Sequence, residues 1–229
     1  MDDGAGHYSG RDEGKMTERS GKFIVLEGID GSGTTTQAQR LANYLFEKDK
    51  KNIVVLTREP TKLSPYGIEL RRRLAGTLFP EEEKIDDPAY WVDLFINDRK
   101  WHLDQVVVPA VRAGLQVVSD RHKLSTIAYQ SAQGADMDKL IRRHEGMYPA
   151  DLTLLLDCPA EAAAARMQKD RGAPEYFENL GLQKKVRENY LLAAEGVRGT
   201  EKIITLDGSL PLIMVTEAIQ KEIEVLYRY

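Results

Sequence analysis

Four apolar residues, Phe23 to Leu26, run into Glu27-Gly28-Ile29-Asp30-Gly31-Ser32-Gly33, and a helical stripe begins directly behind them. Gly28 and Gly33 give the spacing G-x-x-x-x-G. Between a strand and a helix, such a loop turns successive backbone N–H groups inward, and the helix amino end adds partial positive charge. The element is built to hold an anion. Nothing else in the chain constrains its fold as strongly. Residues 28 to 36 (Gly28, Ile29, Asp30, Gly31, Ser32, Gly33, Thr34, Thr35 and Thr36) are the expected phosphate contacts. Thr35 fills the Ser/Thr position whose hydroxyl ligates Mg²⁺.

The strand is one of several. The runs Phe23 to Leu26, Ile53 to Leu56, Val117 to Ser119, Leu152 to Leu156 and Ile203 to Leu206 are apolar on both faces and rich in β-branched residues, the mark of buried parallel strands. Helical patterns separate them. Ala38, Leu41, Ala42, Leu45 and Phe46 keep the spacing of a core-facing stripe. A long helix is expected from Pro88 to Arg112, and a last one from Leu212 to Arg228. This alternation predicts an α/β fold: three layers, with a five-stranded parallel sheet flanked by helices and ligands at the carboxyl ends of the strands. Residues 1–20 are polar and glycine-rich, so a flexible tail is expected there, with Met16 as a second possible start. Residues 21–229 are expected to form one domain.

The net charge of −4 gives no general attraction for nucleic acid. Cys158 is the only cysteine, so no intramolecular disulfide can form. No apolar run approaches membrane-spanning length, which points to a cytoplasmic protein that does not bind membranes.

Where a phosphate loop of this kind carries lysine, this chain has Thr34. A hydroxyl can hydrogen-bond but brings no charge to the β- and γ-phosphates. Loss of one preorganised donor costs about 2.7–4 kcal/mol in a transition state. An active enzyme must therefore bring that charge from elsewhere. Three readings stay open: a kinase with a substitute cation, an impaired nucleotide binder, and a replacement introduced to trap ligand.

Three further motifs narrow the chemistry: "TREP" (Thr57 to Pro60), "DLFINDR" (Asp93 to Arg99) and "SDRHKLSTIAYQ" (Ser119 to Gln130). Together with "GIDGSG" they resemble the thymidylate kinases, phosphate-loop enzymes that phosphorylate dTMP to dTDP with ATP and Mg²⁺. The resemblance covers about residues 22–229. A kinase for another pyrimidine monophosphate is the neighbouring alternative.

The resemblance implies roles for individual residues. Asp30 meets the sugar and phosphate region of dTMP and is steadied by an arginine. Arg58, at a strand end, either pairs with Glu59 on the surface or clamps phosphate. Phe95 and Arg99, four apart on one helix, stack on the thymine and hydrogen-bond its edge. Asp120 meets Mg²⁺, Arg121 faces the acceptor phosphate, and Ser125 and Thr126 offer hydroxyls near the base. Tyr129 packs under the deoxyribose and excludes a 2′-hydroxyl. His122 is expected to be structural.

Residues 166–181 resemble a mobile lid that brings Arg166 and Arg171 to the ATP phosphates. Arg171 is the favoured substitute for the missing lysine, and Lys123 is the second candidate. The family also implies a homodimer, with the helix around Trp91 and Trp101 as its interface.

Overall fold

The structure, a computed structural model, describes residues 21–76, 87–171 and 180–228, and the side chains of residues 170 and 171 are outside that description. The expected tail and half of the expected lid, residues 172–179, therefore lie outside the described residues. The chain runs β1 (Phe23–Glu27), α1 (Thr34–Lys48), β2 (Val54–Arg58), α2 (Pro65–Leu74) and α3 (Pro88–His102). A π-helical turn, Leu103–Val107, leads into α4 (Val108–Arg112), followed by β3 (Gln116–Asp120), α5 (Lys123–Ala132) and α6 (Met137–Arg143). Then come β4 (Leu152–Asp157), α7 (Ala160–Arg171), α8 (Leu180–Val197), β5 (Ile203–Asp207) and α9 (Leu212–Leu226).

The five strands are all parallel, in the order β2-β3-β1-β4-β5. Alternate residues of β1 serve opposite layers, as the pleat requires. Ile24 and Leu26 pack with Ala38, Leu41 and Leu45 of α1 and with Val215 and Ile219 of α9. Phe23 and Val25 pack with Leu103, Val107 and Val111 on the other face. A third cluster joins α3, α5 and α8 through Ile96, Ile127 and Tyr190. Each fully buried Leu or Ile contributes about 1.5–3 kcal/mol.

Three expectations are corrected by this packing. The edge strands β2 and β5 are only partly covered, because each lacks a neighbour on one side; Ile53 and Leu56 are exposed. Phe46 is also exposed, at the margin of the α1 stripe, while Leu45 beside it stays buried. The long helix is not uniformly α. Pro109 has no N–H to give, and the N–H of Val108 reaches back to Leu103 across a wider turn.

The strands end on Glu27, Arg58, Asp120, Asp157 and Asp207. Five ionisable side chains thus lie along the carboxyl edge of an apolar sheet, and this is the edge where parallel α/β folds bind ligands.

Candidate active site

The phosphate loop leaves β1 at Gly28 and enters α1 at Thr34. Gly31 and Gly33 have φ of 82° and 98°, a left-handed backbone that glycine adopts without strain. Gly31 is also pressed by α7: a Cβ there would lie 2.5 Å from the Ala163 carbonyl oxygen and 2.8 Å from Met167 Cγ. Gly31→Ala is expected to cost about 1–3 kcal/mol of stability and to raise the KM for ATP several-fold. Thermal melting and donor kinetics measure both, and an unaltered melting temperature would show that α7 yields freely.

Thr35 Oγ donates to Asp120 Oδ2 at 2.6 Å, so the two expected metal-side residues do meet. Asp120 is buried, and its Oδ1 has no partner. An orphaned carboxylate oxygen beside a hydroxyl suits Mg²⁺, which takes one or two protein oxygens and completes its shell with waters and substrate phosphates. Among the described residues no cluster of three His, Cys, Asp or Glu could hold a metal.

Arg121 is the centre of the site. Its φ is 77°, a conformation that costs a non-glycine residue about 1–3 kcal/mol. Several bonds hold it there. The Arg121 N–H donates to the Leu26 carbonyl, and Ser119 Oγ donates to the Arg121 carbonyl, both at 2.8 Å. Its Nη1 reaches the Gly28 carbonyl (3.0 Å), Ser125 Oγ (3.1 Å) and Tyr190 Oη (2.9 Å), and its Nη2 meets Asp30 Oδ1 at 2.6 Å. Charge-assisted bonds are worth about 1.5–3 kcal/mol each, so together they outweigh the backbone strain. The guanidinium also lies over the Tyr129 ring, 5.5 Å from its centre. Tyr129 Oη in turn accepts from the Asp30 N–H at 3.1 Å. Burial pushes the Tyr129 phenol up to about 12, so it stays neutral. Asp30, Arg121, Ser125 and Tyr129 are thus brought together as expected.

They open onto a cavity of about 450 Å³, lined also by Arg58, Phe95, Arg99, Thr126 and Gln130. Arg58 does not pair with Glu59. It is half exposed, with Nε 3.4 Å from Asp120 Oδ2. Glu59 is buried instead, and accepts from Arg99 Nε (2.9 Å), His102 Nδ1 (2.9 Å) and His122 Nδ1 (3.0 Å). Burial alone would raise its pKa, but Arg99 and the two imidazoles hold it well below the usual carboxylate range. Arg99 therefore reaches the cavity from within a buried ionic cluster, and Thr126 Oγ is one of its anchors, at 2.9 Å.

Two expected charges are placed elsewhere. Lys123 is buried in an ion pair with Glu201 at 2.8 Å, which occupies it far from the loop. Arg166 lies in mid-α7, where Nη1 donates to the Gly208 carbonyl (2.7 Å) and Nη2 to those of Ser209 and Leu210 (2.9 and 3.2 Å). It pins the β5–α9 loop. Arg171 ends α7, and its side chain lies outside the described residues.

Sequence reasoning missed four residues here. Glu27 is fully buried and accepts from the His122 and Ser125 N–H groups (2.8 and 3.2 Å) and from Ser125 Oγ (2.5 Å), which seats the first turn of α5; burial raises its pKa. An acid in a buried strand always requires such partners, and that was its signal. Tyr190 comes from α8, remote in sequence. Gln130 Oε1 is a buried acceptor with no partner in the cavity wall. Arg71 donates to the Pro60 and Thr61 carbonyls and sits beside Arg58, and both line the cavity. Burial, then the like charge of Arg58, lowers the Arg71 pKa. Two such cations side by side await an anion.

Comparison with known proteins agrees with this geometry. A family model described as thymidylate kinase matches residues 26–219. A probable thymidylate kinase of Thermococcus kodakarensis is 41% identical over 177 residues, covering 76% of this chain and 84% of the relative. One from Pyrococcus horikoshii is 42% identical over 175 residues, covering 76% and 83%. Another, from Archaeoglobus fulgidus, is 38% identical over 203 residues, covering 88% and 94%.

Proposed function

We propose a catalytic cycle whose premise is plain: this chain belongs to the thymidylate kinase family, and it phosphorylates dTMP to dTDP with ATP as donor. The observation that carries the cycle is Arg121. It joins the phosphate loop, Asp30 and Tyr129 at the mouth of the cavity that holds Phe95 and Arg99. In the cycle, ATP lies along the loop N–H groups and the amino end of α1; Thr35 and Asp120 would hold Mg²⁺, which would neutralise charge on the donor phosphates. Arg121, Arg58 and Arg71 hold the acceptor phosphate. Phe95 stacks on the base, and Arg99 and Gln130 meet its edge.

An oxygen of the dTMP phosphate then attacks the γ-phosphorus in line, the bond to the bridging β-oxygen breaks, and ADP leaves. Positioning and charge neutralisation supply the acceleration, so no side chain need act as a base. Tyr129, locked by Asp30 and Arg121, packs against the sugar and leaves no room for a 2′-hydroxyl. Release of ADP should therefore be fastest with dTMP. With UMP, kcat/KM should fall at least about tenfold, and with dUMP less, since a methyl group is worth about 1–3 kcal/mol. A coupled assay across dTMP, dUMP, UMP and CMP tests this. Equal kcat/KM for UMP and dTMP would remove the role given to Tyr129, and binding without ADP release would leave an impaired binder.

The same reading places residues 21–229 in one domain and the protein in the cytoplasm, without membrane or nucleic-acid partners. No described helix is long and apolar enough to cross a membrane. The partner is a second copy. Support comes from the open edge of β2, where exposed Ile53, Leu56 and Leu63 adjoin a groove lined by Trp101 and Val106. Trp91 lines the acceptor cavity instead. Sedimentation of the chain and of a Leu56→Glu variant distinguishes dimer from monomer.

A further inference from the structure

His144 caps α6, is 3% exposed and does not line the acceptor cavity. Its Nδ1 lies 2.7 Å from the Leu140 carbonyl oxygen. A carbonyl can only accept, so Nδ1 carries the proton and Nε2 keeps a bare lone pair. That lone pair faces Arg99 Nη1 at 2.5 Å. The helix thus fixes the tautomer, and the tautomer makes the imidazole an acceptor for the guanidinium.

The hydrogens of Arg99 can then be assigned. Nε serves Glu59 Oε2 at 2.9 Å, and Nη2 serves the His122 carbonyl and Thr126 Oγ, each at 2.9 Å. Nη1 gives one hydrogen to His144. One from Nε, two from Nη2 and one from Nη1 account for four of the guanidinium's five. The remaining Nη1 hydrogen has no acceptor among the described residues, and Arg99 lines the cavity.

We propose that His144 is a positioning residue for base selection: by taking one Nη1 hydrogen it directs the other into the cavity, which then demands a pyrimidine with a ring carbonyl, not an amino group, at that edge. This rests on the reading that the dTMP base occupies the cavity beside Phe95. Discrimination follows from hydrogen-bond polarity. An N–H held in place meets a carbonyl as a partner, whereas an amino group presents a second donor and leaves both unpaired. A freely rotating arginine could withdraw from that clash, and one held by four acceptors cannot.

The pH dependence follows from the same contact. Burial, then the Arg99 cation, with His122 and Lys123 beyond it, holds the His144 pKa well below 6.5, so at neutral pH the acceptor is present. Glu59 and Glu201 balance Arg99 and Lys123. As the pH falls through that lowered pKa, His144 becomes a cation facing a cation, and Arg99 loses its fourth anchor. Binding of dTMP should weaken on that acid limb.

Calorimetric titration of the full chain with dTMP and dCMP, paired with steady-state kinetics, tests the proposal. His144→Leu should weaken dTMP binding about tenfold, the scale of one bond to a charged group, and shrink the preference for dTMP over dCMP by a similar factor. The KM for ATP should be unchanged. His144→Gln, which keeps an acceptor where Nε2 stands, should restore the preference and lose the acid limb. A His144→Leu protein with the parent's preference, or His144→Gln with the parent's acid limb, overturns the proposal. If the parent chain itself binds no dTMP, it is the functional reading that fails.

Discussion

Arg121→Ala should lower kcat/KM for dTMP by about a hundredfold or more, the scale expected when a preorganised charged donor is lost from a transition state. The side chain makes four hydrogen bonds to three segments: the Gly28 carbonyl and Asp30 in the phosphate loop, Ser125 in α5, and Tyr190 in α8. Its removal leaves Asp30 without its cation and uncovers Tyr129, so the acceptor phosphate loses both its counter-charge and the wall that aligns it.

A lost fold must be told apart from a lost contact. Alanine at φ 77° keeps the backbone strain without the bonds that offset it, whereas glycine removes both. Arg121→Gly should therefore melt at a higher temperature than Arg121→Ala yet remain as inactive. Arg121→Lys should recover only part of the rate, because a point charge cannot reach Asp30 and phosphate with a two-pronged fork. An alanine variant within tenfold of the parent would mean that the acceptor phosphate lies elsewhere.

The elements most legible in sequence were those whose signal is local. The loop between Phe23 and Thr34 carries its chemistry in its own glycines, and the stretch from Asp120 to Gln130 places Asp120, Arg121, Ser125, Thr126 and Tyr129 on one strand end and one short helix. Helical spacing puts Phe95 and Arg99 on one face, but their roles at the base came from the resemblance carried by the DLFINDR motif. What was hidden depends on partners far along the chain. Lys123 follows the right strand but turns to Glu201, 78 positions on, because a buried ammonium must find a carboxylate. Arg166 was grouped with the lid by its neighbours, yet it is held by carbonyls of the loop after β5. Glu59 reads as a surface partner of Arg58, and only the fold shows that two histidines and Arg99 converge on it. The long helix was expected to run unbroken from Pro88 to Arg112, although Pro109, with no N–H to give, was a local signal of the irregularity.

Arg171→Ala should lower kcat by about a hundredfold or more, because α7 is the element placed to return the charge that Thr34 lacks. The other candidates have partners of their own: Lys123 is paired with Glu201, and Arg166 is tied to the β5–α9 loop. Meanwhile α7 crosses the phosphate loop, with Ala163 and Met167 against Gly31. Arg171 ends α7, four positions beyond Met167. A cation delivered there on closure would act mainly during transfer, so its loss should appear in kcat more than in the KM for dTMP.

Thr34→Lys supplies the complementary test. If one charge serves the site, adding a lysine to the loop should partly rescue Arg171→Ala and change the parent much less, the non-additivity expected of two groups with one task. Equal effects of Thr34→Lys in both backgrounds would show that the two positions act independently. Arg58, half exposed beside Asp120, would then be the next cation to examine.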